Sequence, residues 1–149
     1  MMFRTHIAAG AFLALLFLPA VVHKWSFFVI VMFCTLLPDI DCTQSYLGKY
    51  KILRPLQWVV KHRGFFHSFT FAVAVALIFV FYYPILALPF FLGYAGHLIA
   101  DSLTPEGIRI FWPLKNEVKW RIRTGGKTEN ILFYVLWLAN VGLLIRVFI

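Results

Sequence analysis

The chain has 149 residues, a formal net charge of +8 and a mean hydropathy of +0.83, with 62% hydrophobic and only 13% charged residues. Soluble domains carry about 45–50% apolar and about 25% charged residues, so the composition excludes an ordinary soluble enzyme and indicates an integral membrane protein. In that setting the positive charge speaks to topology and anionic lipid, and no nucleic-acid partner is expected.

Residues 7–22 form a first apolar run behind Arg4. The run has the outline of a signal peptide, but no convincing small-residue cleavage site follows and a second run, 25–38, begins at once. Together they read as a tight helical hairpin turning at His23–Lys24. Each limb is below the usual ~20 residues, which implies local thinning or shielding by longer helices. Pro38 ends the second limb and leaves Asp39 and Asp41 of LPDID just past it.

Residues 51–61 differ in kind. Ile52, Leu53, Leu56, Val59 and Val60 recur at helical spacing with Lys51, Arg54, Gln57 and Lys61 between them. That pattern predicts a short amphipathic helix on the membrane surface, with Pro55 near its start. HRGFFHS at 62–68 leads into a third run, 66–83, and Pro84 marks the next turn. The fourth run, 85–101, carries Pro89, which is expected to bend it. The polar stretch 102–130 is basic through Lys115, Lys119, Arg121, Arg123 and Lys127, with Trp112 and Trp120 interleaved. Val118, Trp120 and Ile122 alternate with basic residues, predicting a short strand that turns at Gly125–Gly126. Residues 131–149 form the fifth span. The expected architecture is one all-α domain, a polytopic membrane bundle of about five transmembrane helices with a short surface helix. Cys34 and Cys42 give no disulfide framework and read as reduced thiols.

Threading five spans alternately through a bilayer puts His6, Asp39, Asp41, His62, His67, His97 and Asp101 on one membrane face. Of the fourteen Lys and Arg residues only Lys24 and Arg146 fall opposite. By the positive-inside rule the His/Asp face and the N-terminus are cytoplasmic and the C-terminus is outside, in the cell (inner or plasma) membrane. Long loops account for part of this bias. The placement of His6, Asp39, His67, His97 and Asp101 at helix ends is more specific, because packing there can gather them.

His97 and Asp101 lie four residues apart in GYAGHLIADSLTPEG (93–107), so on a helix both point from one face. A carboxylate facing lipid at the bilayer centre costs roughly 2.5–3.5 kcal/mol, so Asp101 calls for compensation. A neighbouring hydrogen bond would do it; so would a shared metal ion.

Thr5-His6, LPDID, HRGFFHS and the 93–107 segment, taken in that order, resemble the membrane-bound, metal-dependent hydrolase family called YdjM-like, noted as LexA-regulated in bacteria. The resemblance covers most of the chain. A more distant similarity, to the zinc-dependent phospholipase C and single-strand nuclease group, rests on the ligand order Asp, His, His-x-x-x-Asp. It implies one metal site from Asp39, His67, His97 and Asp101, with His6 holding a second ion bridged by Asp101. That group's further His-x-x-x-Glu pair has no counterpart here.

Mixed His and carboxylate ligands suit zinc, manganese or iron, one or two ions per chain. A bound divalent ion would lower the pKa of water to about 7 and make hydroxide available for attack. Asp41 or Glu106 could take the proton or orient a ligand imidazole. Arg63 could pair bidentately with an anionic substrate or simply add cytoplasmic positive charge. His62 is a further candidate ligand, and His23, on the wrong face, is excluded. The expected function is hydrolysis of a phosphoester of a lipid or lipid-linked molecule at the cytoplasmic leaflet, with membrane lipids and anionic headgroups as partners. A non-catalytic membrane protein with a structural or regulatory metal site is the alternative. The sequence leaves the oligomeric state open.

Overall fold

The computed structural model describes residues 1–42, 45, 48–59, 64–114 and 116–149. Among these residues six α-helices form: α1 Phe3–Phe17, α2 Lys24–Leu36, α3 Arg54–Val59, α4 Phe69–Tyr82, α5 Pro84–Ser102 and α6 Lys127–Phe148. The all-α expectation holds. The described strands are β1 Ile108–Arg109 and β2 Glu117–Val118, paired antiparallel with Ile108 opposite Val118.

Among the described residues, three segments are long and apolar enough to cross a membrane: Phe3–Ala20, Pro84–Ser102 and Lys127–Val147. The first reaches that length because a 3-10 turn, Leu18–Ala20, prolongs α1. The two other apolar helices, α2 and α4, have 13 and 14 residues. α4 begins later than the apolar run does, because Ser68 caps it: the Ser68 hydroxyl accepts from Phe71 N at 3.2 Å and donates to the Phe65 carbonyl. The FFHS half of the 62–68 motif is therefore a turn, and His67 stands off the helix.

α5 is the central element and packs on α1, α2 and α4, while α6 packs on α1. Close approach of α5 to α2 depends on Gly93, where a Cβ would collide with the Val31 carbonyl and the Thr35 amide. The helix runs through Pro89 without interruption. α6 leaves Tyr134, Trp137, Leu138 and Ile145 exposed, as a helix facing lipid does.

The helix expected over 51–61 forms as a 3-10 turn Lys51–Leu53 running into α3, and residues 60 and 61 lie outside the described residues. Gln57 ties it down by donating to the Ile40 and Gly48 carbonyls, at 2.9 and 2.7 Å. The basic stretch departs from expectation. Its strand pairs backward with β1 rather than turning at Gly125–Gly126, and those glycines lead into α6, with Gly126 at its N-cap. The pairing is permitted by Gly107, whose φ of +62° turns the chain between α5 and β1.

Candidate metal centre

The C-terminal ends of α2 and α5 meet the N-terminal turn of α1 at one end of the bundle. Asp39 and Asp41 follow α2 in a 3-10 turn, Leu37–Asp41, and Asp101 lies in the last turn of α5. All three carboxylates thus sit at helix ends carrying partial negative charge, where an acid is disfavoured and a cation favoured. His6, Asp41, His67, His97 and Asp101 are buried; the Asp39 side chain retains 22% exposure.

His97 defines the geometry. Its Nδ1 lies 2.8 Å from the Thr35 carbonyl. A carbonyl only accepts, so the ring proton is on Nδ1 and Nε2 presents a lone pair. The sequence explains why that carbonyl is available. Pro38, three residues on, has no N–H to return to it as α2 tightens into the 3-10 turn.

His97 Nε2 is 3.6 Å from Asp101 Oδ2 and 3.7 Å from Asp39 Oδ1, beyond hydrogen-bond reach, and makes no hydrogen bond among the described residues. A buried acceptor nitrogen facing two carboxylates is a set of lone pairs pointed at one another. A divalent cation among them turns that repulsion into coordination, and on this ground the residues fit a metal.

Two other histidines complete the cluster. His67 Nδ1 faces Asp41 Oδ2 at 3.1 Å, the carboxylate–imidazole contact that orients a ligating ring. His67 is held there because Tyr94 of α5 donates to the Phe66 carbonyl at 2.6 Å. His6 stacks on His97 with ring centroids 4.0 Å apart and planes 8° from parallel, and its Nε2 lies 3.3 Å from Asp101 Oδ1. The Met1 nitrogen is 2.8 Å from the same oxygen. Asp101 therefore faces His6 with one oxygen and His97 with the other. Two ligand groups result, His6 with Asp39 and His97, and His67 with His97 and Asp101, the offered atoms of each lying within 4.8 Å of one another.

Of the residues singled out in the sequence, the structure gathers His6, Asp39, Asp41, His67, His97 and Asp101. Glu106 stands exposed in the turn after α5, outside both ligand groups. His62 and Arg63 lie outside the described residues. His23 is exposed at the other end of the bundle.

The family model of the YdjM inner membrane protein matches residues 1–148. The chain belongs to the YdjM family. It is 35% identical over 122 residues to the inner membrane protein YdjM of Escherichia coli (strain K12), covering 71% of this chain and 60% of that protein. The Shigella flexneri protein of the same name gives the same figures. The uncharacterized protein YvsG of Bacillus subtilis (strain 168) is 34% identical over 111 residues, 70% of this chain and 69% of its own. The chain thus spans about 60% of the two YdjM proteins' length. No solved structure matches it. Membership agrees with the helices of membrane-crossing length, and this YdjM-family chain is a membrane protein.

Sequence reasoning passed over two groups in this YdjM-family site. One is the Thr35 carbonyl, which only the spacing to Pro38 could have signalled. The other is Glu129, fully buried, whose carboxylate accepts from Met2 N and Gly125 N, each at 2.6 Å. It joins the start of α6 to the start of α1 and so fixes the turn that carries His6. Its signal was an acid three residues past the N-cap, where acids cap free amides.

Proposed function

We propose that this YdjM-family protein is a membrane-embedded, metal-dependent hydrolase, with its His/Asp centre at the cytoplasmic face, that cleaves a phosphoester of a lipid or lipid-linked molecule. The observation that carries the reading is His97: a buried imidazole with its tautomer set by the Thr35 carbonyl and its lone pair turned toward Asp39 and Asp101. Zinc suits this donor set best, and manganese or iron also fit. His67, His97 and Asp101, with Asp39, would hold the ion, and His6 with the other Asp101 oxygen would hold a second.

An ion held there supplies a Lewis acid and lowers the pKa of water to about 7. In this reading Asp41 orients His67, and Glu106 or Asp41 takes a proton. Arg63 meets the phosphate and His62 adds a ligand. The surface helix and the basic 115–127 segment admit anionic headgroups. The distribution of Lys and Arg supports a cytoplasmic N-terminus and an outside C-terminus.

A second reading, a structural or regulatory metal site, has one observation in its favour: His6, His67 and His97 are almost wholly buried, as in closed structural sites. Elemental analysis of gently purified protein, followed by assay on phosphodiesters and phospholipids, separates the two. The hydrolase reading expects bound metal and turnover that His97→Ala abolishes. Metal without turnover, together with unfolding of His97→Ala, establishes the structural reading. A metal ratio near zero refutes both.

A further inference from the structure

We propose that the groove between α1, α5 and α6 seats one alkyl chain of a phosphoester lipid and presents its phosphate to the His/Asp cluster from the hydrocarbon side. This rests on the hydrolase reading and names the form in which its substrate arrives.

The groove encloses about 190 Å³, room for an alkyl segment rather than a whole lipid. Its walls are Ala9 and Phe12 of α1, Gly96 and Ile99 of α5, and Leu132 and Leu136 of α6. These belong to the three segments that, among the described residues, are long and apolar enough to cross a membrane, and a bilayer spanned by them would surround the middle of the groove with hydrocarbon. Ile99 is 54% exposed, which leaves the groove open sideways to the bilayer. An open apolar groove at that depth is filled by the solvent around it, and that solvent is lipid chain.

The end of the groove is what gives the chain a direction. Along α1 the lining runs from Leu13 back to Thr5, about 12 Å of helix, and Thr5 directly precedes His6. At the end of α5 it finishes at Ala100 and at Leu103, just past the helix, which flank Asp101, and it takes in Met1, whose terminal nitrogen lies 2.8 Å from Asp101 Oδ1. A chain lying in the groove with its polar end toward α1's first turn therefore brings that end beside the carboxylate facing both His6 and His97. Another apolar pocket, lined by Leu15, Trp25, Phe28 and Leu144 at the opposite end of the bundle, provides the contrast. It too opens among apolar helices, and among the described residues no His/Asp ligand group adjoins it.

The test uses the full chain in bilayers containing phosphatidylglycerol with a diazirine in its acyl chain, followed by peptide mapping of the photoadducts. Adducts should concentrate on segments 9–13, 96–103 and 132–136, several-fold above the exposed α4 residues Val73, Leu77 and Val80. Ala9→Phe and, separately, Leu136→Trp fill the groove and should cut its labelling roughly tenfold while α4 labelling stays constant. Leu144→Phe, in the opposite pocket, should leave groove labelling unchanged. Even labelling around the whole lipid-facing perimeter, or groove labelling indifferent to both filling variants, overturns the proposal. Labelling needs no turnover, so concentrated adducts from a protein inactive on every phosphoester would keep the lipid seat and defeat only the hydrolase reading.

Discussion

The two ends of the bundle are made from the same apolar helices and treat a histidine in opposite ways. At one end α1 gives way to α2 through a short turn, and His23 lies exposed at the N-cap of α2, its side chain making no capping hydrogen bond. At the other, His97 is buried, its Nδ1 bound to a main-chain carbonyl and its ring stacked on His6. Composition alone does not separate these two residues. The difference lies in the chain's exits: one end turns tightly, whereas the other lets α2 and α5 finish beside the start of α1 with three carboxylates at the junction. A helix end becomes a candidate ion site when several ends converge and their carboxylates face a buried imidazole lone pair.

The contrast can be broken most severely at His97. His97→Ala should weaken metal binding by more than the about 10–100-fold that loss of a supporting residue costs, read by metal titration in detergent. Asp41→Asn keeps the shape beside His67 and removes the charge that orients it. Its expected loss is about 10–100-fold in metal affinity with helix content unchanged by circular dichroism. Gly93→Ala acts through packing, since the new methyl meets α2 backbone at Val31 and Thr35. It should cost about 1–3 kcal/mol in unfolding and weaken metal binding as well, because Thr35 holds His97. His23→Ala sharpens the comparison from the other side, with metal affinity and stability unchanged in the same measurements.

Much of the fold could be read from the chain because periodic apolar runs and prolines mark helices strongly. The five apolar helices overlap the five apolar runs, and the helix expected over 51–61 forms over its described part. α4 starts late because the Ser68 cap acts locally, and a hydropathy run does not register a cap. The basic strand pairs differently from the expectation for a different reason: the alternation in its partner, Ile108-Arg109-Ile110, is only three residues long, too short to stand out beside the 93–107 segment. Motif order identified His6, Asp39, Asp41, His67, His97 and Asp101, which the fold then brings together. It did not identify Thr35, whose contribution is a main-chain oxygen present in every residue, nor Glu129, whose value depends on α6 lying beside α1.

Pro38 ties secondary structure to the chemistry of the site. Replacing it with alanine would lengthen α2 and, judged on helix propensity alone, look like an improvement. The restored amide would compete with His97 for the Thr35 oxygen, and the imidazole would lose the contact that fixes which nitrogen carries its proton. Selection for thermostability and selection for a working centre would therefore pull this single position in opposite directions.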